Sequence, residues 1–377
     1  MTEMRVIDGD GHVFEDCAAI ARRLPAPWEP ARLSAPDRIT APLDHLHNDN
    51  GRIPPGAFNR AVGPQQWVEF MDAVGIEAAV LYPTVMLAFG RLPYPDYAIV
   101  TSRAYNDWLA ETYLAFSPRF RGMGLVPLQE PEVAAAELRR CVTELGMCGA
   151  MLPVDLVTGS LGAKHYYPLY QEADRLGCCL AVHGGCHAGL GMDDFHSFAP
   201  VHALGHPITL LTALAAVVFD GILDKFPAVR WGFLEGGVAW VLTALERFQG
   251  SYEAFTPHNV RGELLTLPPG ERLRDYLRRQ FRDGRVFVGC EGDEPALATV
   301  VKEVGPRCLL FSSDFPHEVN NDLCREEIDE LLAHDGLSDG EKAGILHANA
   351  ERFYNLAESP ARSGAGGQGA GARSKPS

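Results

Sequence analysis

RVIDGDGHVFE, residues 5–15, decides how the rest of the chain is read. Apolar Val6 and Ile7 run into a glycine-punctuated cluster of two carboxylates and an imidazole. That is the pattern of a short buried strand passing into a loop, with Asp10 and His12 just past the strand's end. Residues two apart in extended chain point the same way, so the Asp10 carboxylate and the His12 imidazole can face one point. One oxygen and one nitrogen donor there suit a borderline divalent ion such as Zn, Mn, Fe or Co. D-x-H is weak by itself. The same residues fit a turn in which Asp8 and Asp10 bond nearby backbone N–H groups and His12 is incidental.

Seven further apolar runs follow, at 77–83, 120–127, 149–153, 178–183, 229–235, 285–290 and 307–314. Between them lie amphipathic stretches of helical spacing, the first ending at Gly75 and a later one at Gly177, both placed as C-caps. The histidine- and glycine-rich segment after 183 is expected to be a loop, with a helix from about Pro207. Eight apolar strands separated by helices predict an α/β fold with an all-parallel sheet, and eight is the number at which such a sheet closes into a (β/α)8 TIM barrel. The Pro-rich stretch 24–64 is expected to be a long insertion or lid after strand 1. The barrel should occupy 1–357, and the tail 358–377, with no apolar residue larger than Ala, should be disordered.

Bulk properties exclude several classes. A net charge of −16 argues against nucleic acid or an anionic membrane as partner. No stretch reads as a membrane span or a secretory signal. Nine cysteines without CxxC spacing indicate a reducing compartment, so a cytoplasmic location is expected. The expected partner is a small-molecule substrate, and the sequence leaves a homodimer open.

In such a barrel, functional groups sit at the C-terminal ends of the strands. Those ends carry Asp10 and His12, then His183, Glu235, Glu291 and Asp314. Gathering these carboxylates on one rim would be self-repulsive without a cation, so one bound divalent ion is expected. Each residue also has a plainer reading. His183 could be a satisfied core histidine, Asp314 an N-cap, and Glu291 a cap for the helix near Pro295. His187, His196, His202 and His206 could line the pocket or simply belong to a surface loop.

Several segments make the comparison more specific: DGDGHVFE, PLYQEADRLGCCLAVHGG, ILDKFPAVRWGFLEGGVAWV, LLFSSDFPHE and ILHANAERFYNL. In this order the chain resembles the amidohydrolase superfamily, in particular the branch that includes aminocarboxymuconate-semialdehyde decarboxylase and the dihydroxybenzoate decarboxylases. The resemblance implies a (β/α)8 barrel with one catalytic divalent metal, held by Asp10, His12, His183 and Asp314. Zinc is the first choice of ion, with Mn, Fe or Co as alternatives. It also implies catalytic roles for Asp314, Glu235 and His183. Two departures stand out. Asp10 replaces the family's usual His or Glu in the first-strand pair, and Glu235 stands where decarboxylase members carry a His. The expected chemistry is therefore hydrolysis of a small carboxylate, lactone or amide substrate by a metal-activated water, with Asp314 taking the proton and Glu235 assisting. The alternatives are non-oxidative decarboxylation, hydration and, more remotely, an inactive binding barrel.

Overall fold

The computed structural model describes residues 4–29, 39–40, 62–154, 159–185, 187 and 189–356. Most of the expected insertion at 24–64 and the whole of the tail 358–377 lie outside these residues. Eight parallel strands stand side by side in chain order. They are β1 (Ile7–Val13), β2 (Ala78–Pro83), β3 (Phe120–Leu125), β4 (Gly149–Pro153), β5 (Cys179–His183), β6 (Arg230–Leu234), β7 (Val286–Cys290) and β8 (Leu309–Phe311). Beyond the short β8, Asp314 N donates to Asp10 O at 3.1 Å and His12 N to Phe315 O at 2.7 Å. These bonds join the last strand's exit to the first strand, so the expected (β/α)8 barrel is what the chain forms.

The helices follow in turn. α1 (Cys17–Ala21) and α2 (Pro64–Val74) come after β1, α3 (Pro95–Leu109) after β2, α4 (Pro131–Thr143) after β3 and α5 (Tyr167–Leu176) after β4. α6 (Phe198–Phe219) and α7 (Ile222–Lys225) come after β5, α8 (Ala239–Phe255) and α9 (Leu273–Arg282) after β6, and α10 (Leu297–Val304) after β7. α11 (Asn321–Ala333), α12 (Asp339–Ala343) and α13 (Asn349–Tyr354) close the chain. Gly75 and Gly177 end α2 and α5 in the left-handed conformation, at φ 83° and 60°, as expected of C-caps.

Two boundaries differ from the sequence expectation, and both bear on the site. β1 does not stop before Asp10: it runs through Val13, with a register shift between Asp8 and Gly11. The glycines permit this. A Cβ on Gly11 would lie 2.4 Å from the Trp67 ring of α2, so only glycine lets that indole press on the strand. Trp67 Nε1 in turn donates to His12 O at 2.9 Å and fixes the strand there. The second difference is α6, which begins at Phe198 and carries Pro207 inside it. An interior proline costs helix stability, which is why it reads as a start. Here burial of Val201, Leu210, Leu214 and Val217 outweighs that cost. His202 and His206 therefore lie on a helix. Among the described residues, α6 is the one helix long and apolar enough to cross a membrane by length and composition, and 44% of its most apolar window is buried in the barrel wall.

Candidate metal centre

Asp10 and His12 lie on β1, His183 ends β5, and Asp314 follows β8; donor atoms of Asp10, His12 and His183 lie within 4.8 Å of one another, and Asp314 joins at His12, in a neighbouring group with His317. His12 and His183 are fully buried and Asp10 nearly so. The register Pro153–His183–Leu234 across β4, β5 and β6 sets the height of His183. Asp314 adopts φ 52° and Glu235 φ 61°, a conformation that costs a non-glycine residue of order 1 kcal/mol.

The hydrogen bonds decide how the imidazoles present their nitrogens. His12 Nδ1 donates to Pro83 O at 2.8 Å, and His183 Nδ1 donates to Gly184 O at 2.7 Å. A carbonyl can only accept, so in each neutral ring the proton sits on Nδ1 and the Nε2 lone pair faces inward. His12 Nε2 has no hydrogen-bond partner among the described residues. It lies 3.3 Å from Asp314 Oδ1 and 3.7 Å from Asp10 Oδ1, while His183 Nε2 lies 3.3 Å from Asp10 Oδ1. The His12 Nε2 lone pair thus faces a carboxylate oxygen without a hydrogen bond, whereas His183 Nε2 and Asp10 Oδ1 are within hydrogen-bond distance. Such a buried arrangement is unfavourable unless one positive charge is added, as a proton or a cation.

The electrostatics point to the same deficit. Burial pushes the Asp10 carboxyl up, only partly countered by His183. Burial, together with His317 and His183 nearby, holds His12 well below the ordinary histidine range, hence neutral. For His183 burial acts downward, but Asp10 and Glu235 raise it to about 9. Two nitrogens and two carboxylates with outward Nδ1–H groups anchored on backbone carbonyls are a donor set that fits a divalent ion.

Other expected residues are placed differently. Glu235 is near the cluster but on the far side of His183: its Oε2 is 3.3 Å from His183 Nδ1 and its Oε1 3.7 Å from His206 Nε2. Burial and Asp314 raise its carboxyl to about 8. Glu291 is exposed, and its N–H donates to Glu294 Oε1 at 2.9 Å. Glu294 also accepts from Val238 N at 2.6 Å, so it is Glu294 that braces the turn after β6. Asp8 is a structural carboxylate that accepts from Ser313 N at 3.0 Å, Ser313 Oγ at 2.6 Å and Asp10 N at 3.1 Å. His196 is exposed, whereas His187, His202 and His206 gather beside Glu235.

Sequence reasoning gave no role to His317. Its Nδ1 donates to Asp314 Oδ1 at 2.7 Å, its Nε2 pairs with Thr84 Oγ1 at 2.9 Å, and its ring stacks on His12 at 4.2 Å between centroids. It orients Asp314. The available signal was its i+3 spacing from Asp314 in DFPH, which only the turn after β8 makes meaningful.

A family model described as Amidohydrolase matches residues 7–356. The chain belongs to that family. It is 24% identical over 306 residues to 2-amino-3-carboxymuconate-6-semialdehyde decarboxylase of Dictyostelium discoideum, covering 80% of each protein. It is 28% identical over 316 residues to gamma-resorcylate decarboxylase of Rhodococcus jostii, covering 77% of this chain and 86% of that one. Its fold is shared with 5-carboxyvanillate decarboxylase of Novosphingobium aromaticivorans, solved with manganese and 4-hydroxy-3-methoxy-5-nitrobenzoic acid. That match has a TM-score of 0.70 at 19% identity and covers 94% of this chain and 96% of that one. The chain is a metal-dependent enzyme of the amidohydrolase family. These relatives are decarboxylases, which favours the decarboxylation alternative over the hydrolytic expectation.

Proposed function

We propose that this enzyme catalyses non-oxidative decarboxylation of a small aromatic or unsaturated carboxylic acid. The observation that carries the reading is the pair of inward Nε2 atoms of His183 and His12 facing Asp10 and Asp314, joined to relatives named for decarboxylation. Asp10, His12, His183 and Asp314 would hold the ion. The manganese in the Novosphingobium structure supports manganese beside zinc as the ion to test. When bound, a divalent ion supplies positive charge that anchors a carboxylate and an adjacent oxygen and favours electron flow away from the breaking C–C bond.

The chain's own residues do the rest. The reaction exchanges a carboxylate for a proton: the C–C bond breaks, CO2 leaves with no electrons gained or lost, and the ring or vinyl carbon takes H+. Asp314 is the group placed to carry that proton. Its side chain is 20% exposed at the mouth, and His317 Nδ1 holds its Oδ1. Thr84 fixes the far side of His317, so the Asp314 carboxyl is oriented through two hydrogen bonds. Glu235 shapes the pocket beside His183, and in this reading the proton reaches carbon from Asp314.

The deciding test incubates the metal-loaded enzyme in D2O with a panel of hydroxybenzoic and carboxymuconate-type acids, alongside lactones and amides. The expected result is CO2 release with one deuterium on the carbon that lost its carboxylate. Turnover confined to lactones or amides, with no CO2, would return the enzyme to hydrolysis.

A further inference from the structure

A second group of metal-type donors lies beyond His183. His202 and His206 are four residues apart on α6 and so project from the same face. Glu235, at the end of β6, approaches them, and one donor atom from each of the three lies within 4.8 Å of the others. Two histidines at i, i+4 on a helix with a carboxylate from another element is the His2Glu arrangement that holds zinc with one position left open.

The packing that produces this arrangement is specific. A Cβ on Gly184 would lie 2.0 Å from His206 Nδ1, one on Gly205 would lie 2.4 Å from the His187 ring, and one on Gly236 would lie 2.4 Å from Leu210. Glycine at these three places lets α6 press its histidine face onto the ends of β5 and β6.

The donors are also poorly satisfied as they stand. His206 is 7% exposed, and its Nδ1 has no hydrogen-bond partner among the described residues. Its Nε2 is 3.7 Å from Glu235 Oε1, too far for a hydrogen bond. Burial, with His187 and His202 nearby, holds His206 well below the ordinary histidine range.

We propose that His202, His206 and Glu235 form a second divalent-cation site, of zinc or cobalt type, at the mouth of the barrel. It uses Glu235 and α6, none of the four residues assigned to the first ion, and does not depend on which reaction the first ion serves. His202 is exposed, so an ion has a path in from solvent and the fourth position is open to water.

The test is zinc stoichiometry of the full-length protein, stripped by chelator and dialysed against micromolar Zn2+, with Co2+ substitution read by visible absorption. The expected result is two ions per chain in the parent and one in His202→Ala, with loss of the part of the Co2+ spectrum that belongs to the second ion. His202 is on the surface, so this variant keeps the fold, which circular dichroism checks. One ion or none in the parent, or two retained in His202→Ala, overturns the proposal. A parent with one ion that His183→Ala abolishes leaves the first metal centre standing while the second falls.

Discussion

The cluster at the barrel mouth and the ion-pair cluster on the outer layer across α3, α4 and α5 draw on similar chemistry and reach opposite results. Outside, Glu172 accepts from Arg139 Nε at 2.7 Å and from Arg175 Nη2 at 2.6 Å. Glu137 accepts from Arg140 Nη2 at 2.6 Å and Asn106 Nδ2 at 2.8 Å. Each carboxylate has donors, and the charges cancel where they lie. At the mouth, two carboxylates face two imidazole Nε2 atoms, and His12 Nε2 is left without a partner among the described residues. The balanced cluster is architecture; the deficient one marks a place prepared for something positive.

The same contrast recurs within one strand. Asp8 and Asp10 are both buried on β1, yet Asp8 is answered by Ser313 and by the Asp10 N–H, while among the described residues the Asp10 carboxylate is answered by ring nitrogens. Two residues of separation divide a carboxylate held by backbone and hydroxyl donors from one that faces imidazoles.

The largest effect should come from the deficient side. Asp314→Asn keeps size and fold but removes the proton carrier, so turnover on the substrate that emerges should fall by about 10²–10⁴-fold. Glu235→Gln should lose little by comparison. Equal loss in both variants, measured by steady-state kinetics at matched metal content, would mean Glu235 shares the proton chemistry.

Next is His183→Ala, which removes one inward nitrogen. Elemental analysis should show substantially less than one ion per chain at the first centre. Unchanged metal content would show that the ligand set lies elsewhere.

On the balanced side the loss should appear as stability. Asp8→Ala leaves the Ser313 N–H and hydroxyl and the Asp10 N–H without their acceptor, and the expected cost is about 2–4 kcal/mol in urea unfolding. A variant as stable as the parent would show that Asp8 is no structural tie.

The smallest effect is at Glu172. Its hydrogen bonds from Arg175 and Arg139 lower its carboxyl from 4.5 to about 2. A depressed folded pKa stabilises the fold above the unfolded value. That contribution is therefore complete above pH 4.5 and lost as pH falls towards 2. Both arginines are more than half exposed, so Glu172→Gln should cost about 1 kcal/mol at neutral pH. The difference between parent and variant should shrink through that acid window. A pH-independent difference would assign the effect to packing.

The sequence by itself determined the barrel, because eight apolar runs alternating with amphipathic stretches leave a parallel closed sheet as the way to bury both faces. It also determined the first-strand pair, since an i, i+2 spacing in extended chain puts Asp10 and His12 on one side however the strand ends. The position of His183 and Asp314 at strand ends was legible for the same reason. What only the tertiary structure decided is which nitrogens and oxygens meet. His12 and His183 commit their Nδ1 protons to carbonyls of Pro83 and Gly184, and the first of these comes from a neighbouring strand. His317 reaches Asp314 only after the β8 turn folds back, and α6 starts before Pro207 only because its buried face outweighs the proline. Periodicity is a property of consecutive residues. Hydrogen-bond direction and helix docking depend on contacts between residues far apart in the chain, which no local pattern encodes.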